Sequence, residues 1–161
     1  MPHHLESSQN AAGIRFAVIA SQYNSFITDR LLNGALEALK TYGAEDENIL
    51  ILRVPGCFEI PQAARKIAET LEYDAIICLG ALLRGETLHF ELISNECARG
   101  IQDVSAEFGL PVTFGVITAD TTEQALERAG ERSQNKGWEA TLAAIEMVNL
   151  FRRIVAESEK L

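Results

Sequence analysis

The sequence predicts a three-layer α/β sandwich, with four parallel strands between two layers of helices. Two observations predict it. Four short apolar runs rich in β-branched residues fall at 14–20, 49–54, 75–79 and 112–118, each nearly continuous, as in parallel strands covered on both faces. The stretches between them carry helical periodicity instead, and strand alternating with helix implies right-handed crossovers around one sheet.

The elements follow in order. After the first run, Thr28 is placed to cap a helix bearing Leu31, Leu32, Ala35, Leu36 and Leu39, with Gly43 as its stop. Pro61 suits the first turn of a second helix, with Ala64, Ile67, Ala68 and Leu71 along one side. Thr87 is placed to cap a third, whose Phe90, Ile93, Cys97, Ile101 and Val104 recur at three and four residues. A short helical stretch over 122–129 and a long helix over 138–157 complete the chain. The long helix is apolar on more than one face (Leu142, Ile145, Met147, Val148, Leu150, Phe151, Ile154). The chain is too short to wrap it, so a homo-oligomer is expected. Residues 1–13 read as a flexible N-terminal segment and 14–161 as a single domain.

Composition narrows the function classes. A chain of 161 residues fits one domain, since domains commonly run ~100–200 residues. Lys and Arg number 14 against 23 Asp and Glu, a formal charge of −9. No large basic face can be assembled from that balance, which argues against nucleic acid or an anionic membrane as partner. An anionic small substrate remains open, because a few arginines or a helix amino terminus hold one. Cys57, Cys78 and Cys97 are odd in number and lack zinc spacing; they read as reduced thiols of a cytoplasmic protein with no metal site. The first residues lack the apolar core of a signal peptide, and no apolar run approaches the ~18 residues of a membrane span.

Chemistry concentrates in the loops that follow the strands, where open parallel sheets bind ligands. After the first strand, Tyr23 sets an aromatic ring beside the sheet. After the second, Pro55 and Gly56 fix a turn that presents Cys57, Phe58 and Glu59 at a helix start. After the third, Gly85, Glu86 and Thr87 offer unpaired backbone N–H groups, a natural cradle for phosphate or carboxylate. His89 follows directly. Apart from His3 and His4 it is the one histidine of the chain, and so the one near-neutral acid/base group of the body. Phe114 lies on the fourth strand, with Arg128, Arg132 and Lys136 beyond it. Each has a blander reading: Tyr23 as a cap on the core, Glu59 as a helix-dipole partner, the basic residues as solvated surface. Two flavodoxin-like alternatives weaken on the residues. A flavin mononucleotide carrier needs a Ser/Thr/Gly-rich loop where Gln22-Tyr23-Asn24-Ser25-Phe26 stands, and a phospho-receiver needs paired acidic residues that are absent.

The segments Tyr23-Asn24-Ser25-Phe26-Ile27-Thr28, Val54-Pro55-Gly56-Cys57-Phe58-Glu59-Ile60-Pro61, Arg84-Gly85-Glu86-Thr87-Leu88-His89-Phe90 and Glu127-Arg128-Ala129-Gly130 together resemble the 6,7-dimethyl-8-ribityllumazine synthase family, over 14–154. The resemblance implies a flavodoxin-like sheet in the order 2-1-3-4. It implies condensation of 5-amino-6-(D-ribitylamino)uracil with 3,4-dihydroxy-2-butanone 4-phosphate, with no metal or other cofactor. By the same resemblance Tyr23 stacks on the pyrimidine, and Cys57, Phe58 and Glu59 hold the ribityl chain. Ala81, Leu82 and Leu83 contact the pyrimidine from a strand end. Gly85, Glu86 and Thr87 bind the phosphate with Arg128, and His89 transfers protons. Phe114, Lys136 and Arg128 come from a neighbouring subunit. The implied assembly is built from pentamers, up to a sixty-subunit shell, with riboflavin synthase as a candidate partner.

Two positions and one segment depart from the family pattern: Tyr23 replaces phenylalanine or tryptophan, Cys57 replaces alanine or serine, and within 130–137 residues 131–134 differ from the segment of the shell-forming members without a change of length. A non-enzymatic shell or ligand carrier on the same fold is expected to have lost His89 or Arg128, and both are present.

Overall fold

The computed structural model describes residues 1–160; Leu161, the last residue of the expected domain, lies outside them. The apolar runs pair as parallel strands β1 (Phe16–Ser21), β2 (Ile49–Val54), β3 (Ala75–Leu83) and β4 (Val112–Ala119), in the order β2-β1-β3-β4. This is the expected flavodoxin-like sheet. Successive side chains of a strand face opposite ways, and β1 feeds both layers. Phe16, Val18 and Ala20 pack on one face, Ala17 and Ile19 on the other.

The first face is covered by α1 (Ser25–Thr41) and α5 (Lys136–Ser158), through Ile27, Leu31, Ala35 and Leu39 and through Ala140, Ala144, Ile145 and Val148. The second is covered by α2 (Ile60–Glu69) and α3 (His89–Phe108), through Ile60, Ala64 and Ile67 and through Cys97, Ile101 and Val104. A short α4 (Thr122–Glu127) follows β4, capped by the Thr121 hydroxyl, which accepts from the Gln124 N–H. Full burial of one such aliphatic side chain is worth ~1.5–3 kcal/mol, so the two layers hold the sheet mainly by apolar burial.

Several expectations need correction. Coverage of both faces holds for β1 and most of β3 but not for the outer strands: Leu50 and Ile51 of β2 are 38% and 43% exposed, and Phe114 of β4 is 37% exposed. A sheet of four strands has two edges, and two helices per face do not reach over both. Thr28 does not cap α1. The helix begins at Ser25 behind Asn24, which adopts the left-handed conformation (φ 60°) that asparagine tolerates. Thr28 is instead buried one turn in, its hydroxyl donating to the Tyr23 carbonyl at 3.5 Å. Thr87 accepts the His89 N–H at 3.3 Å but stands two residues ahead of α3. Gly43 does end α1, at φ 98°.

The first residues lie along α5. Asn149 Nδ2 donates to the carbonyls of Ser8, Asn10 and Ile145, each at 3.0 Å. Arg153 donates to the Glu6 carbonyl at 2.9 Å, and Ala11, fully buried, donates its N–H to Tyr42 at 2.8 Å. Among the described residues no helix is long and apolar enough to cross a membrane. Asn149→Ala removes three of these bonds at once. Limited proteolysis within residues 1–10 is expected to accelerate severalfold, while global stability changes by about 1 kcal/mol or less; unchanged proteolysis would show that other contacts hold the segment.

Candidate active site

The site begins with unequal strand lengths. β1 pairs with β3 only as far as Ala20 opposite Leu79, whereas β3 pairs with β4 as far as Leu83 opposite Ala119. The Arg84 N–H carries the β3–β4 ladder one step further, donating to the Ala119 carbonyl at 2.9 Å. So the strand expected over 75–79 runs four residues longer, and its last part has a free edge on the β1 side. Gly80 does not turn the chain. It makes room, since a Cβ there would stand 2.6 Å from Cys57 Sγ and 2.9 Å from Ser21 Oγ.

A cleft of about 700 Å³ opens against that edge. Asn24 Nδ2 donates to the Ala81 carbonyl at 2.9 Å, and Cys57 lines the cleft beside it. By the alternation of a strand, Leu83 turns its N–H and carbonyl to the same side as Ala81, towards the cleft. Tyr23 stands at the rim, 67% exposed, its ring seated on Gly56, where a Cβ would lie 2.6 Å from the ring. Phe58 is 54% exposed across the cleft. Glu59 Oε1 accepts the Gly56 N–H at 3.1 Å, which steadies the turn and leaves Oε2 towards the cleft.

His89 lines the same cleft and is exposed. Ahead of it, the N–H groups of Gly85, Glu86 and Thr87 make no hydrogen bond among the described residues. These three residues line no part of the cleft itself; they link Leu83 of β3 to His89 of α3, which do. Arg84 anchors this loop. Its Nε donates to Asp120 at 2.6 Å, its Nη1 pairs with Glu91, and its guanidinium lies 4.6 Å from the Phe90 ring centre. Hydrogen bonds within its own turn and from Arg84 hold the Glu91 carboxyl below its ordinary range.

The remaining candidates are elsewhere. Phe114, Arg128 and Lys136 line a second cleft, of about 500 Å³, along the open edge of β4. The two clefts share no lining residue. Arg128 Nη1 donates to the Thr118 carbonyl at 2.8 Å, which fixes the side chain along β4. Lys136 Nζ lies 3.8 Å from Glu139. One copy of the chain therefore gathers eight of the named residues in one cleft and three in the other, with the Gly85–Thr87 loop beside the first.

Comparison with known proteins identifies the family. The model of the 6,7-dimethyl-8-ribityllumazine synthase family matches residues 13–152. The 6,7-dimethyl-8-ribityllumazine synthase of Desulfatibacillum aliphaticivorans is 53% identical over 150 residues, covering 93% of this chain and 97% of the relative. The chain belongs to the 6,7-dimethyl-8-ribityllumazine synthase family. It is accordingly a transferase of riboflavin biosynthesis.

The lumazine synthase cleft also contains residues that the sequence reading passed over. Leu92, Ile93 and Glu96 line it; they stand three, four and seven positions after His89, the spacing that puts them on its helix face. Asn24 was legible only as part of a motif, and its positive φ is what aims its amide at Ala81.

All three cysteines are free and buried. Interaction between the neighbouring Cys57 and Cys97 thiols pulls Cys57 down and Cys97 up, and burial pushes Cys78 up. Only Cys57 lines the cleft. It should be the first thiol to react with iodoacetamide, at a rate that rises with pH as thiolate forms. Peptide mass mapping after brief labelling is expected to find the label at Cys57, and first labelling at Cys78 or Cys97 would contradict the geometry.

Proposed function

We propose that this transferase condenses 5-amino-6-(D-ribitylamino)uracil with 3,4-dihydroxy-2-butanone 4-phosphate, releasing phosphate and water, in sites formed between adjacent copies of the chain. The observation that carries the shared site is the division of the candidate residues between two separate clefts. Neither is complete alone. The first has an aromatic rim, a free strand edge and an acid/base group but no unengaged cation on its wall. The second has Arg128 and Lys136 but no acid/base group of near-neutral range.

Roles follow from chemistry and place. Tyr23 stacks on the pyrimidine ring, whose polar edge meets the backbone of Ala81, Leu82 and Leu83, as in base-edge recognition by a strand. Cys57, Phe58 and Glu59 line the path of the ribityl chain, with Glu59 accepting from its hydroxyls. The free N–H groups of Gly85, Glu86 and Thr87 receive the butanone phosphate, and Arg128 from the neighbouring copy completes its charge balance. Phe114 and Lys136 of that copy close the pyrimidine side.

The uracil's amine attacks the butanone carbonyl to give an imine with loss of one water, and phosphate is eliminated to leave an enol. After the enol becomes a ketone, the ribityl-bearing amine closes the ring on it with loss of a second water. His89 moves protons in the imine and elimination steps. General acid–base help is typically worth ~10²–10⁴-fold, whereas holding two reactants in register reaches effective molarities of ~10⁵ M or more. Positioning therefore dominates. The apolar residues left exposed on α5, Met147, Ile154 and Val155, support a homo-oligomer of pentamers. The unchanged length of 130–137 supports a sixty-subunit shell able to enclose riboflavin synthase. Three free thiols fit a cytoplasmic setting.

The test follows lumazine fluorescence and free phosphate together in size-separated fractions supplied with both substrates. Product and phosphate are expected to appear in step, and only in assembled fractions; full activity in single copies would contradict the shared site. His89→Ala is expected to slow turnover by about 10²-fold or less and leave clear activity. Arg128→Ala is expected to raise KM for the phosphate substrate by about tenfold or more, with little change for the pyrimidine. An inactive but assembled His89→Ala protein would reverse the ranking of positioning over proton transfer.

A further inference from the structure

We infer that Asn135 is a positioning residue for the part of the site lent by the neighbouring copy, holding Arg128 on the phosphate side and Lys136 on the pyrimidine side through its side-chain amide. The inference rests on the reading that those two residues meet substrate.

Arg128 and Lys136 are the two ends of one tight loop. The Lys136 N–H donates to the Arg128 carbonyl at 2.8 Å, and inside that bond Ala129 and Asn135 form an antiparallel bridge. The Gly130 N–H donates to the Gln134 carbonyl at 3.1 Å. Any change in how the loop closes therefore moves both cations together. The loop is also under constraint at its far side. Arg132 is held at φ 43°, with its guanidinium 3.2 Å from Glu37 and 4.9 Å from the Trp138 ring centre. A non-glycine residue persists in that region only where its surroundings over-determine it.

The Asn135 amide supplies the determination. It is 2% exposed and joins three pieces of the fold. Its Oδ1 accepts the Trp138 N–H at 3.0 Å, capping α5. Its Nδ2 donates across the loop to the Gly130 carbonyl at 2.8 Å and outward to the Arg30 carbonyl of α1 at 3.1 Å. A helix cap needs only the oxygen, which serine or aspartate supplies as well. The two Nδ2 bonds add nothing to helix initiation; they fasten the loop to α1. The surrounding backbone is shaped to receive this side chain. A Cβ on Gly34 would stand 2.3 Å from Asn135 Oδ1, and one on Gly137 would stand 2.0 Å from the Leu31 carbonyl oxygen. Arg128 then needs only its bond to Thr118 to aim along β4.

Asn135→Asp and Asn135→Ser separate the two roles, because both keep a capping oxygen and lose both Nδ2 bonds. In the assembled full chain, KM for the phosphate substrate and the inhibition constant of inorganic phosphate are each expected to rise about tenfold, the weight of one hydrogen bond to a charged group. KM for the pyrimidine is expected to rise less, by about threefold, because Tyr23 and the β3 edge still hold the ring. Ser105→Ala, which removes a bond to the Leu110 carbonyl at the far end of α3, should leave both constants unchanged. Assembled Asn135 variants with both phosphate constants unaltered, or with the pyrimidine KM rising while the phosphate constants do not, would overturn the inference. Arg128→Ala is measured beside them: a raised phosphate KM there with silent Asn135 variants removes the inference alone, whereas an unaltered one removes the reading beneath it.

Discussion

Between Gly80 and Leu83, β3 has β4 on one side and no strand on the other, and the geometry of the first cleft depends on that unpaired edge. Buried backbone groups demand partners. Asn24 satisfies the Ala81 carbonyl, and Asn24 and Cys57 form part of the cleft wall. The same extension carries Arg84 past the sheet, where Asp120, Glu91 and the Phe90 ring hold it. From there Gly85, Glu86 and Thr87 emerge with unengaged N–H groups. A sheet whose strands ended level would offer neither the edge nor the loop.

The second constraint is the shortness of the sheet. Four strands leave β2 and β4 as edges, and one copy covers them incompletely, as exposed Leu50, Ile51 and Phe114 show. Exposed apolar edges favour association. In this chain the β4 edge also carries Arg128 and Lys136, so covering the edge and completing the site are one event in the proposed assembly. The cost of ordering two substrates is then met by contacts from two copies, which fits a reaction dominated by positioning.

Much of this was legible in the sequence, for identifiable reasons. The strands announced themselves because a central parallel strand is buried on both faces, and β1 and β3 read as continuous apolar runs. Residues adjacent in sequence, such as Cys57, Phe58 and Glu59, entered the site together because one rigid turn presents them. The extension of β3 was hidden by Gly80, which resembles a turn signal but serves to admit Cys57 and Ser21. The start of α1 was misplaced at Thr28 because the true boundary rests on the left-handed Asn24, a conformation without a sequence mark of its own. Ile93 was read as part of the apolar stripe of α3, and its place in the cleft with Leu92 and Glu96 follows only once His89 is known to open that helix beside the cleft. The role of Asn135 was invisible because its partners, Arg30 and Gly130, are brought together by packing rather than by spacing.

The most direct measurement is an experimental structure of the assembled protein with a ribitylaminouracil analogue bound. The account predicts the analogue's ring on Tyr23 and along Ala81, Leu82 and Leu83 of one copy, with Phe114 and Lys136 of the next copy in contact with it. An analogue enclosed by one copy alone, with the β4 cleft of every neighbour turned away, would contradict it.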